Sequence, residues 1–207
     1  EVPERLDSWG SQVTGMYDLM DYIESNYTLS ELSQIKVAVI DSGVDLHHKF
    51  LQDRLIETGF NISGDGDPNS EQNLKDGHGN MVSSVIVDNT LDNVKISVYR
   101  VLNDKGTTTI SAIISAIGEA ALRGANYINI SICCGGSSEA EKRFFEETLE
   151  QIYERYNTMV IAGSGNYGRN IDYYNDLPAA CELTITHLFR FVNRNYYYFS
   201  ERIFLYR

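Results

Sequence analysis

Apolar positions along the 207-residue chain follow two rhythms that alternate from residue 35 onward. Short runs rich in β-branched and aromatic residues, at 35–40 (Ile-Lys-Val-Ala-Val-Ile), 95–101, 126–132 and 158–162, have the length and composition of buried strands. Between them the apolar residues repeat at helical spacing. Over 109–123, Ile110, Ile113, Ile114, Ile117, Ala120 and Ala121 fall at i, i+3, i+4 intervals, with threonines before them to cap the first turn and Gly124 to end the last. Over 139–156, Phe144, Phe145, Thr148, Leu149, Ile152 and Tyr156 predict a core-facing stripe with the acidic residues outward. A third helical pattern opens at Gly77-His78-Gly79 and carries Met81, Val82, Val85 and Ile86 on one side. Strand and helix in this order predict an α/β fold. Its sheet is expected to be doubly wound and mostly parallel, with right-handed crossovers and helices on both faces.

The two ends depart from this pattern. Residues 1–34 are polar and aromatic, and Tyr17, Leu19, Met20, Tyr22 and Ile23 predict a short helix packed on the main body as an N-terminal extension. Residues 187–207 hold four arginines against one glutamate, and eight of these 21 residues are Phe or Tyr, including Tyr196-Tyr197-Tyr198-Phe199. That segment shows neither strand alternation nor an amphipathic helix, so it is set apart from the body at 35–186 as an atypical basic, aromatic tail.

Composition narrows the function classes. A chain with 43% hydrophobic and 22% charged residues can build one substantial globular core. Its net charge of −12 argues against nucleic acid and anionic membrane surfaces as partners, because both reward clustered Lys and Arg. No apolar run approaches the roughly 20 residues that span a bilayer, so no transmembrane segment is predicted. Cys133, Cys134 and Cys181 are odd in number and two are adjacent, which does not suit a disulfide framework. They read as core-filling residues, and no His or Cys set stands at metal-ligand spacing.

The chemistry centres on Asp41-Ser42-Gly43-Val44-Asp45, directly after the first predicted strand. Open α/β sheets place their chemistry at the carboxyl ends of strands. A carboxylate fixed there can orient an imidazole and stabilise its cation, given a histidine within hydrogen-bond reach. His78 is the candidate, set between glycines that allow close backbone approach. Ser42, Ser131, Ser137 and Ser138 read as hydroxyls that serve turns and strand ends. The acidic loop Asp65-Gly66-Asp67-Pro68-Asn69 is the one candidate for a cation such as calcium, although Ser70 and Asp76 replace the Gly and Glu of an EF-hand loop. No other cofactor is expected.

Together these segments resemble the subtilisin-like serine proteases, or subtilases. Asp41 to Asp45, followed by His48, is similar to the family's catalytic-aspartate segment, and Asp76-Gly77-His78-Gly79-Asn80-Met81-Val82 to its catalytic-histidine segment. Residues 124–131 resemble the strand leading to the substrate-binding edge, and Gly165-Asn166 the segment whose Asn donates to the oxyanion. Similarity fades after Pro178-Ala179-Ala180 and Leu183-Thr184-Ile185-Thr186. The resemblance implies that Asp41 holds the imidazole tautomer, that His78 is general base and then general acid, and that Asn166 stabilises the tetrahedral oxyanion. Ser131, Gly135, Gly136, Gly163, Ser164 and Gly165 would bind an extended peptide or protein substrate. It also implies a secreted or cell-surface location, and it is compatible with the leader-peptide-processing branch of the family.

Three departures qualify the match. Asn80 and Met81 stand where many members have Thr and His, and Cys133-Cys134 precedes Gly135-Gly136 where Ser-Leu is usual. The nucleophile segment Gly-Thr-Ser-Met-Ala does not occur in the sequence. Ser164 lacks the strained strand-to-helix turn that exposes a nucleophile and lies beside the proposed oxyanion donor. The expectation is therefore a subtilase catalytic domain truncated before its serine and inactive alone. The alternatives are a non-catalytic peptide-binding module and one half of a split protease.

Overall fold

The computed structural model describes residues 8–63, 77–166 and 168–187, which fall into two compact units with the boundary between Thr107 and Thr108. Asp76, the acidic loop at 65–70 and all of the tail beyond His187 lie outside the described residues.

In the first unit, β1 (Ile35–Asp41), β2 (Leu55–Asn61) and β3 (Val94–Arg100) form a parallel sheet in the order β2-β3-β1. Register runs from Ile35 opposite Val94 to Asp41 opposite Arg100. Two short N-terminal helices, α1 (Trp9–Val13) and α2 (Met16–Asn26), precede the sheet. The Ser11 and Tyr17 hydroxyls both donate to Asp88, at the far end of α3 (His78–Asp88), at 3.2 and 2.8 Å. Val39, Ile96 and Val98 of the strands pack with Val44, Leu51 and Val87, and Val82 and Ile86 of α3 close over them. Met81 and Val85, expected on the same side, are instead exposed. At 100° per residue, Gly79, Ser83 and Val87 face the core, which turns 81 and 85 outward.

In the second unit, β4 (Tyr127–Ile130), β5 (Met159–Gly163) and β6 (Thr184–His187) are likewise parallel, in the order β4-β5-β6. Helix α4 (Ile110–Leu122) buries Ile113, Ala116, Ile117, Ala120 and Ala121, and its N-cap Thr109 accepts from the Ala112 N–H at 3.1 Å. Helix α5 (Glu139–Tyr156) opens with a reciprocal capping box between Ser138 and Glu141 and closes on left-handed Asn157. It buries Phe145, Leu149 and Ile152, while Phe144 and Tyr156 are exposed. The stripe is thus narrower than the sequence pattern suggested. The chain is α/β with parallel strands and helices, the class that the apolar rhythm predicted.

Candidate active site

Asp41 closes β1 and is fully buried, whereas the His78 side chain, the first residue of α3, is 40% exposed. His78 Nδ1 lies 2.9 and 3.0 Å from the two Asp41 carboxylate oxygens. The Ser42 N–H donates to the same carboxylate at 2.7 Å, so the anion is held by main chain and ring together. Backbone fit sets this spacing. Gly77 adopts φ +58 at the N-cap, and the first turn of α3 rests on the turn after β1 so closely that a Cβ at Gly79 would collide with the Gly43 carbonyl oxygen. The Ser42 hydroxyl accepts from the Gly79 N–H at 3.0 Å, and Asn80 Oδ1 accepts from the Asp45 N–H at 2.8 Å. Three contacts therefore tie the strand end to the helix start, and Asn80 supplies one of them.

In the second unit the sheet register brings the expected substrate-binding segments side by side. Ile130 pairs with Ala162, so the chain leaves β4 at Ser131 next to the end of β5 at Gly163, whose added Cβ would lie 4.0 Å from the Ser131 Cα. Asn129 donates to the Ser131 hydroxyl at 3.1 Å. Beyond Ser131, Cys134 makes an isolated antiparallel bridge with Leu177, and the Gly136 N–H donates to the Tyr174 carbonyl at 3.0 Å. Ser164 and Gly165 follow β5, with Gly165 at φ +78, and Asn166 is exposed in the turn after them. Ser137 donates to the Cys134 carbonyl and Ser138 caps α5, which are the turn roles the sequence suggested for these hydroxyls.

The cysteines are not activated nucleophiles. Burial, with added repulsion from Asp176 and Cys134, pushes the Cys133 thiol up to about 11. Burial and nearby Glu141 also raise Cys134, and burial raises Cys181 to about 12. Among the described residues no group of three or more His, Cys, Asp or Glu side chains could hold a metal ion. No helix among them is long and apolar enough to cross a membrane.

One ion pair was not read from the sequence. Arg169 binds Asp176 through two nitrogens, Nε to Oδ2 at 2.8 Å and Nη2 to Oδ1, directly beside Gly135. Asp176 is 1% exposed. The pair spans seven positions around an irregular turn, which no periodicity marks. Only its place just before Leu177-Pro178-Ala179 could have drawn attention to it.

The parallel α/β scaffold that carries this carboxylate and imidazole agrees with comparisons to known proteins. Residues 33–201 match the Subtilase family, and the chain belongs to it. It is 29% identical over 159 residues to the thermophilic serine proteinase of Bacillus sp. (strain AK1), covering 72% of this chain and 37% of that protein. To subtilisin DY of Bacillus licheniformis it is 31% identical over 144 residues, covering 66% of this chain and 48% of that one. The chain thus spans less than half the length of these relatives. Among solved structures it resembles a lanthipeptide protease, with a TM-score of 0.65 at 25% identity over 89% of this chain and 60% of that one. The epidermin leader peptide processing serine protease of Staphylococcus aureus shares the fold, with a TM-score of 0.61 at 22% identity over 75% and 46% of the two chains.

Proposed function

We propose that this chain carries the acid–base part of a serine endopeptidase site acting on peptide or protein substrates. The observation behind the proposal is the buried Asp41 carboxylate paired with Nδ1 of a half-exposed imidazole. With the ring proton on Nδ1, facing Asp41, Nε2 carries the lone pair that takes a proton from an attacking hydroxyl. That proton then passes from Nε2 to the leaving amine. The Asp41 carboxylate stabilises the imidazolium formed between the two steps. Asn166 donates to the oxyanion of the tetrahedral intermediate, a contact worth about 3 kcal/mol in the transition state. Ser131, Gly135, Gly136 and Gly163 to Gly165 supply edges along which an extended peptide pairs.

The serine nucleophile is not among the motifs of these 207 residues. In this reading the chain alone binds peptide without cleaving it. The likeness to a lanthipeptide protease favours lanthipeptides as the substrate class, and family membership favours a secreted or cell-surface location. A fluorophosphonate probe and a fluorescent extended peptide test the proposal together. We expect saturable peptide binding with no covalent labelling. Labelling that disappears in His78→Ala would show a nucleophile within the chain, and absence of both binding and labelling would overturn the proposed groove.

A further inference from the structure

The Arg169 side chain sits in surroundings that recur wherever a guanidinium is recognised. Its two nitrogens grip the buried Asp176 carboxylate in a forked pair. Its Cζ lies 4.6 Å from the centroid of the Tyr174 ring, which stacks against its face. Gly135 forms the remaining wall, and a Cβ there would run into Nη2 and lie 2.9 Å from Asp176 Oδ1. The Cys134–Leu177 bridge and the Gly136 to Tyr174 hydrogen bond hold this glycine segment against the turn that carries both partners. Arg169 itself remains 31% exposed, so solvent reaches the cation while the anion lies beneath it.

We infer that Gly135, Tyr174 and Asp176 form a guanidinium-binding pocket on the peptide-binding edge, and that Arg169, its resident occupant, determines specificity by keeping basic substrate side chains out. The inference rests on the proposed groove, since Gly135 and Gly136 belong to it. A buried carboxylate on that edge would otherwise select a cationic side chain. The tethered guanidinium competes at an effective concentration on the order of millimolar, which a single side chain of a passing peptide does not overcome. The intact chain therefore prefers an uncharged residue at this position, and removing the tethered cation exposes an acidic pocket.

The test compares arginine amide with norleucine amide, which shares its α-ammonium group but has an uncharged side chain, by NMR titration of the full chain, Arg169→Ala, and Arg169→Ala with Asp176→Asn. Arginine amide should bind Arg169→Ala about tenfold more tightly than it binds the parent or the double variant, and about tenfold more tightly than norleucine amide does. Equal binding to the single and double variants, or binding to the parent as tight as to Arg169→Ala, overturns the pocket. If the bare carboxylate prevents folding, arginine amide should restore the folded spectrum of Arg169→Ala, or of Arg169→Gln, and failure to restore either also overturns it. Competition with the fluorescent peptide separates the two readings. Arginine amide that fills the pocket without weakening peptide binding refutes the specificity role, whereas a chain that binds arginine amide but no peptide refutes the groove.

Discussion

Asp41 and Asp176 are both buried carboxylates facing a nitrogen group, one in each unit, and next to each pair is a glycine with no room for a side chain, Gly79 after His78 and Gly135 beside Asp176. Their partners differ in kind. An imidazole can be neutral or protonated, so in the proposed mechanism the Asp41 pair passes a proton on and takes it back. A guanidinium never gives up its proton in a protein, and the hydrogen bonds to Asp176 raise the Arg169 pKa further. The glycines differ as well. Gly79 rests on the main chain, at the Gly43 carbonyl, whereas Gly135 rests on the end of a side chain. The pair proposed to transfer a proton is fixed by backbone, and the static pair by side chains that can be displaced.

Replacing the two glycines should break that symmetry most sharply. Gly79→Ala pushes a methyl into a carbonyl that cannot swing away, and thermal unfolding should show a loss of about 3 kcal/mol, the upper part of the range for overpacking. Gly135→Ala can be relieved by rotation of Arg169 and should cost about 1 kcal/mol. In Arg169→Ala the added cost of Gly135→Ala should shrink to what the 2.9 Å approach to Asp176 Oδ1 leaves. Equal costs at the two glycines would mean that both pairs are held in the same way.

Asp41→Asn is the next largest change and sharpens the chemical side of the contrast. The amide that replaces the carboxylate keeps an oxygen for the Ser42 N–H but turns an NH2 toward His78 Nδ1, which must then accept and leave its proton on Nε2. Nitrogen-15 shifts of the ring should report this change of tautomer, with a stability loss of about 1–2 kcal/mol. An unchanged tautomer would mean that Asp41 does not orient the ring.

The smallest effect concerns Cys133, which senses the charge balance at the second pair. With its thiol pushed up to about 11, it should carry about 100-fold less thiolate at pH 8 than an ordinary thiol of pKa 9.0, and alkylation by iodoacetamide should be correspondingly slow. Asp176→Asn removes one cause and should speed the reaction. Arg169→Ala should slow it, because Arg169 pulls the thiol pKa down. Because folding raises this acid's pKa, its contribution to stability is complete below pH 9.0 and declines as the pH rises toward about 11.

Much of the fold could be read in advance where burial and periodicity coincide. Helix α5 was expected at 139–156 and spans those residues, and β1 extends the expected run by one residue, Asp41. Strand β2 was not foreseen, because Glu57, Thr58 and Gly59 interrupt its apolar pattern and its pairing with β3 is irregular. Helix α1 escaped notice because five residues show too little of a repeat. At the site, the Asp41 and His78 segments stood out because close backbone contact requires glycines at fixed places. Arg169 and Asp176 did not, because an ion pair around a turn leaves no spacing rule in the sequence.

The contact between Gly43 and Gly79 bears on any attempt to transplant this pair. Moving only an aspartate and a histidine to another scaffold would carry the functional groups without the ruler that measures the gap between them. The transferable unit is the strand end with its turn and the opening turn of the helix, 41–45 together with 77–80. Within it the two glycines and the Ser42 and Asn80 hydrogen bonds set the distance before the aspartate or the histidine side chain is added.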